Sequence, residues 1–430
     1  MFIFTIVWLG QLISLLGSGI TNFALDVWTY QQTGSVTQLS FLILFTTMPM
    51  VIVSPFAGIL VDHWNRRWVM ILCDTGAAIT TLTTVGLLAT GHLEIWHIYL
   101  LSAVSSSFGT CQWAAYSAAT TTLVPKKFLG RASGMTQISQ ALGQLLAPIL
   151  AGVLLGAIHL GGIFVLDLGS FLIGLATLLL VRFPHHKVST ASQPSTTSLL
   201  SQSLYGLRYL KARSGLMALL LFLASSNFLV GIVQVLTYPL VLSFASEAQL
   251  GIIMSVGGIG MLVGSVLMST WGSHRQQYIH ILFCSMLLNG LSMIVAGLHP
   301  SILLFSTAAF LFFMGIPFIN SCTQVIFQKK VAPEAQGRIF SCNNAIAGFS
   351  LPFAYLIAGP LADRIFEPLM ATQGPLAESI GQLIGTGTGR GIGLMFMVLG
   401  GLNILFTIGA YQYAPLRLVE ERLPDATTYQ

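Results

Sequence analysis

The sequence predicts an all-α integral membrane protein of 12 transmembrane helices, arranged as two six-helix pseudo-repeats. Three observations carry that prediction. Of 430 residues, 54% are hydrophobic and 7% are charged, with mean hydropathy +0.82; a soluble domain carries about 25% charged residues. The apolar stretches recur about every 36 residues, a span of ~20 residues plus a short connector. A single offset of 207 residues brings connectors of the two halves into register. The composition excludes a soluble enzyme, a nucleic-acid binder and a disordered chain.

Taken in order, the apolar runs cover 3–30, 36–61, 68–90, 96–122, 133–158, 160–182, 215–243, 248–271, 277–298, 301–327, 339–362 and 391–413. Each is too long for a core strand, and in lipid a helix satisfies its own backbone groups. The first run lacks a basic n-region and a small-residue cleavage site, so it is expected as a retained helix. The net charge of +5 reads as topology. With the N-terminus inside, the cytoplasmic connectors hold 16 of the 18 basic residues, among them Arg66, Arg67, Lys126, Lys127, Arg131, Lys329, Lys330 and Arg338. Only Arg364 and Arg390 fall outside, so both termini are expected to be cytoplasmic. Five cysteines lie in apolar stretches without a CxxC, which indicates neither a disulfide framework nor a metal site.

Residues 184–201 are polar, contain Pro184 and Pro194, and read as a linker. The segment 202–213 places Leu204, Leu207 and Leu210 at helical spacing between basic residues, which predicts a short helix on the membrane face. The expected organisation is a six-helix bundle over 1–183, a cytoplasmic linker over 184–214, a second bundle over 215–414 and a cytoplasmic tail over 415–430. The 207-residue offset places Gly130 and Arg131 on Gly337 and Arg338, Ala151 and Gly152 on Ala358 and Gly359, and Leu60 and Trp64 on Leu267 and Trp271. Parallel six-helix repeats are a recurrent transporter design, with a substrate site expected between the halves near the midplane.

Between spans 2 and 3, Gly58, Leu60, Asp62, Arg66 and Arg67 stand in the pattern G-x-L-x-D-x-x-x-R-R. This resembles the loop 2–3 motif of the major facilitator superfamily. In span 5, Gly143, Ala147, Pro148, Ala151 and Gly152 resemble that superfamily's antiporter motif, with alanine at two glycine positions. The segments around Trp8, Gly10 and Gln11 and around Trp28, Tyr30 and Gly34 are similar to the macrolide-efflux and enterobactin-exporter branch, a branch of drug:proton antiporters. The resemblance spans essentially the whole chain. It implies that Asp62 faces the N-terminal end of span 11, near Arg338, and forms with Arg66, Arg67 and Asp74 a latch on the cytoplasmic side. Simple anchoring of the loop is the alternative. It also implies that spans 1, 4, 7 and 10 line the cavity, and that the span 5 motif goes with export. Ordinary helix packing is the alternative there.

Asp26, Asp74 and Asp167 lie inside spans, where carboxylates are costly and functional by default. Asp26 is the first candidate for proton coupling and Asp167 the second; interfacial and interhelical hydrogen-bonding roles are the alternatives. Four spans carry polar residues on one helical face: Asn22 and Asp26, Gln112 and Tyr116 beside Trp113, Asn227 and Gln234, and Asn320 and Gln324. Such a neutral, aromatic wall suits a bulky amphipathic solute. Span 4 lacks the arginine frequent in drug-antiporter branches, which places the coupling machinery apart from theirs.

No P-loop, HExxH or GxSxG occurs, and the Gly385–Gly391 run reads as a flexible outer loop. The expectation is therefore a transporter and not an enzyme, with no cofactor, metal or nucleic-acid partner. Its partners are a small-molecule substrate, protons and the bilayer. It is expected as a monomer in a bacterial inner membrane, exporting a drug-, macrolide- or siderophore-like compound. Import or facilitated passage of a specific nutrient is the runner-up, and a non-transporting receptor or scaffold is the remote alternative.

Overall fold

A computed structural model describes residues 2–125, 128–181, 210–211, 213–271, 277–331 and 333–423. The expected linker helix at 202–213 lies almost entirely outside these residues, as do Lys126, Lys127 and the side chains of Asp62 and Arg338. The described residues are helical, with no strand among them. In chain order the helices are α1 (Phe2–Thr33), α2 (Val36–His63), α3 (Arg66–Ala89) and α4 (Ile95–Leu123). The stretch Leu129–Leu180 is continuous except at His159, whose φ of 54° lies in the left-handed region. That break, between the expected spans 133–158 and 160–182, divides it into α5 (129–158) and α6 (160–180). Then follow α7 (Ser214–Leu242), α8 (Glu247–Trp271), α9 (Tyr278–Leu298), α10 (Ile302–Lys330), α11 (Pro333–Leu361) and α12 (Arg390–Gln412).

Helix starts are set by local chemistry. Ser35, Asn65 and Ser301 each accept a backbone N–H at the first turn of α2, α3 and α10. Ser246 and Gln249 bond reciprocally before α8, in the S-x-x-Q arrangement of a capping box. The connector between α11 and α12 folds back so that Glu367 caps α12. Its carboxylate accepts from the N–H of Gly389 (3.2 Å) and of Ile392 (3.0 Å). Burial pushes the Glu367 carboxyl above its ordinary value, opposed by those two donors and by the charge of Arg390. A carboxyl raised on folding binds protons more readily in the native state. Its contribution therefore falls as pH rises through the raised value. Glu367→Ala is expected to lower stability by about 1 kcal/mol, the cost of a lost cap, seen as a reduced melting temperature in detergent. Glu367→Gln should flatten the pH dependence of that temperature across the same range.

Contacts divide the chain into two compact units. The first comprises Met1–Gln193 with Ser246–Ser255, and the second Pro194–Ala245 with Val256–Gln430. In the first, α1 packs along the α5–α6 stretch, α4 packs on α2 and α3, and α3 also meets the α5–α6 stretch. In the second, α7 packs on α11 and α12, while α9 packs on α10 and α12. Three of these pairings recur with a shift of six helices: α1 on the α5–α6 stretch as α7 on α11 and α12, α3 on α4 as α9 on α10, and α3 on the α5–α6 stretch as α9 on α12. The first core gathers Phe4, Val7, Val61, Met70, Ala115 and Leu178. The second gathers Leu216, Leu282, Ile326, Phe327, Leu416 and Val419. In the second unit Lys330, 7% exposed, donates to the carbonyls of Glu420 and Leu423, and the Glu420 carboxylate accepts from the N–H of Ile279. The last turn of α10 thus holds the tail against α9.

Candidate functional site

Within the first unit, α1, α3 and α6 meet along a polar seam. On α1, Gln11, Ser14, Ser18 and Thr21 recur at spacings of three, four and seven, so they share one face. On α3, Asp74 and Thr81 are seven apart and share another. Asp167 and Ser170 bring α6 to the same seam. Asp167 is 2% exposed. The hydroxyls of Ser18 and Thr81 donate to its two carboxylate oxygens across 3.5 and 3.4 Å. The Ser170 hydroxyl donates to the Asp167 carbonyl at 2.7 Å and stands 3.5 Å from the carboxylate. Further along, the Gln11 amide donates to Asp74 at 3.2 Å and accepts from Gln112 at 2.9 Å. Asp74 is likewise buried.

Asp167 forms part of the wall of a cavity of about 540 Å³ inside this unit, together with Asn22, Thr46, Trp113 and Phe164. The cavity is lined mainly by hydroxyls, aromatic rings and aliphatic groups, with Asp167 its one carboxylate among the described residues. Its surroundings therefore accommodate an amphipathic molecule, or water and a small cation beside the carboxylate.

The remaining expected residues are distributed as follows. Asp26 is half-buried on α1, and its neighbours Asn22 and Leu25 line the cavity while it does not. Tyr116 is buried in the core beside Trp113, with ring centroids 6.2 Å apart. In the second unit Asn227 is half-buried. Gln234, Asn320 and Gln324 are exposed, and Gln234 accepts from the Tyr355 hydroxyl at 2.9 Å. Gly58 is exposed. Arg66 donates to the carbonyl of Ala118 in the last turns of α4 (2.7 Å). Arg67 donates to those of Leu178 (2.9 Å) and Leu179 (2.8 Å) at the end of α6. The Arg67 guanidinium thus sits at the negative end of the α6 dipole.

The span 5 motif has a direct packing partner in the first unit. Ala147 and Ala151 are buried. At Gly152 a Cβ would lie 2.5 Å from the carbonyl oxygen of Glu247, so only glycine lets the backbones approach this closely. The Ser255 hydroxyl donates to the carbonyl of Leu145 at 2.6 Å, and the Gln31 amide donates to the Glu247 carboxylate. Gly143 and Pro148 are half-buried on the same helix.

The residues missed from sequence are Ser18, Thr21, Thr81 and Ser170. On α1, Ser14, Ser18 and Thr21 share a face by their spacing, but nothing in the sequence separates Thr81 or Ser170 from hydroxyls that bond their own helix.

Residues 7–355 match the family described as the Major Facilitator Superfamily, and the chain belongs to that family of membrane transporters. It is 27% identical over 369 residues to macrolide efflux protein A of Streptococcus pyogenes, covering 84% of this chain and 90% of that protein. It is 28% identical over 270 residues to the enterobactin exporter EntS of Salmonella typhimurium, covering 61% of this chain and 62% of the other. Among solved structures, the nucleoside transporter NupG aligns over 98% of this chain and 100% of its own, with a TM-score of 0.74 at 14% identity. A bacterial homologue of the lysosomal transporter Spinster aligns over 98% of this chain and 97% of its own, with a TM-score of 0.69 at 15% identity. The family match makes the chain a transporter and not an enzyme, and the structural likenesses show the fold.

Proposed function

We propose that the chain exports a bulky amphipathic small molecule by alternating access, in exchange for protons entering the cell. The observation that carries this reading is the cavity of the first unit, whose neutral polar and aromatic wall holds a single buried carboxylate. A phosphate- or sugar-phosphate-binding wall would require converging cations. The likeness to a macrolide efflux protein over 84% of the chain, and the partial likeness to an enterobactin exporter, support a large solute moving outward.

Coupling is assigned to an intramembrane carboxylate, Asp167 or Asp26. The deeper burial of Asp167 and its place on the cavity wall favour it over Asp26. The loop 2–3 cluster of Gly58, Asp62, Arg66 and Arg67 acts as the latch on the cytoplasmic side. The Lys and Arg distribution supports cytoplasmic termini in a bacterial inner membrane, and the protein works as a monomer. Inside-out vesicles with an imposed pH gradient test the reading, with a radiolabelled macrolide and a catecholate siderophore as probes. Accumulation that collapses with a protonophore is expected. Accumulation confined to right-side-out vesicles would make the protein an importer, and equilibration without accumulation a facilitator.

A further inference from the structure

We propose that Asp167, with the hydroxyls of Ser18, Thr21, Thr81 and Ser170, forms a binding site for a dehydrated monovalent cation of sodium size. The coupling role of such an ion rests on the transport reading above; its binding does not.

A carboxylate buried in an apolar bundle requires a proton or a counter-charge. The groups acting on Asp167 are hydroxyls, with no cationic side chain among the described residues. Those hydroxyls come from three helices: Ser18 and Thr21 from α1, Thr81 from α3 and Ser170 from α6. They stand off from the carboxylate. Hydroxyl-to-carboxylate hydrogen bonds settle at about 2.5–2.7 Å, whereas the separations here are 3.4, 3.5 and 3.5 Å. Oxygens about 3.4–3.5 Å apart form the edge of an octahedron whose centre lies about 2.4–2.5 Å from each. That is the range for hard cations of calcium size, and longer than magnesium accepts. Sodium has the same size with half the charge.

A second observation points into the same space. Thr21, 7% exposed, borders the cavity and brings a further buried hydroxyl to the Asp167 carboxylate, with no other hydrogen-bond partner among the described residues. The backbone of α1 also approaches these groups closely. At Gly17 a Cβ would fall 2.1 Å from the Ser170 hydroxyl oxygen and 3.0 Å from a carboxylate oxygen of Asp167, so any side chain there would enter the site. Charge fixes the valence. One carboxylate neutralises one positive charge, and a divalent ion would leave an uncompensated charge in a low-dielectric interior. The all-oxygen donor set selects a hard cation over a soft one. Sodium and a proton would compete for the same carboxylate, so the site admits either as the exchanged ion.

The test is binding of radioactive sodium to the purified protein in detergent, by scintillation proximity. It is accompanied by melting temperatures in NaCl, KCl and choline chloride at equal ionic strength. About one sodium per chain is expected, displaced by acid, with a rise in melting temperature in NaCl that choline does not reproduce. Asp167→Asn should abolish binding. Thr81→Val keeps the volume and removes one ligand; it should weaken sodium binding at least tenfold and remove the difference between its melting temperatures in NaCl and choline chloride, over and above the baseline shift from the lost hydrogen bond to Asp167. Sodium and choline giving the same result would overturn the proposal, as would full sodium binding in Thr81→Val and Asp167→Asn. A response to pH alone would give the site to the proton and overturn it equally. Absence of efflux in vesicles would count against the transport reading and leave the sodium measurement standing.

Discussion

Asp167→Asn is expected to reduce gradient-driven accumulation of substrate in inside-out vesicles to the level seen without a gradient, while substrate binding and passive exchange persist. The amide keeps the size of the carboxyl and its place among Ser18, Thr81 and Ser170. It cannot change charge, so an ion cannot be exchanged through it. Because the side chain is 2% exposed, the neutral replacement removes a buried charge and should leave folding intact or improved. Asp26→Asn, made in parallel, should retain at least half of the wild-type accumulation, since Asp26 is half-buried and lies off the cavity wall. Equal loss in both variants would spread coupling over two carboxylates. Loss in Asp26→Asn alone would move it to α1.

The second large effect is expected from Gly152→Val. Its Cβ would have to occupy a position 2.5 Å from the Glu247 carbonyl oxygen and 3.0 Å from the Ala248 Cα, both backbone atoms that cannot swing aside. Overpacking of this kind costs about 1–3 kcal/mol, and each 1.4 kcal/mol is about a tenfold change in an equilibrium. The docked arrangement of 246–255 on α5 should therefore lose population by about tenfold or more. Two measurements check it. Thiol labelling at Ala248→Cys should accelerate by that factor, and the export rate should fall while the amount of protein in the membrane stays constant. Wild-type labelling and export would mean that the span 5 motif tolerates separation from this segment.

The helical scaffold was legible because a membrane leaves a chain few choices. Each apolar run needed a helix, and the run from 133 to 182 had to break near its middle to form two spans. His159 is the residue where it does. Asp167 was legible as an intramembrane carboxylate. Its surroundings were not, because a serine or threonine in an apolar helix has two ways to satisfy its hydroxyl. Thr75 and Thr84 turn back to the carbonyls of Ile71 and Thr80. Thr81, between them, instead reaches across to Asp167. Nothing in the spacing separates these cases; the neighbouring helix decides. The same holds for Arg66 and Arg67. Their charge placed them at the loop between α2 and α3, but their acceptors are carbonyls at the ends of α4 and α6, more than fifty residues away in sequence. Asp74 was grouped with those arginines by proximity along the chain, and its described hydrogen bond comes from Gln11 on α1.

The hold of Lys330 on the tail sets a practical boundary for handling the protein. A truncation ending before Glu420 would strip a buried ammonium of its two carbonyl acceptors and the N-terminal turn of α9 of its carboxylate. Affinity tags and fluorescent fusions therefore belong where they leave Glu420 and Leu423 in place. A shorter version should be recovered in lower yield for reasons unrelated to substrate handling.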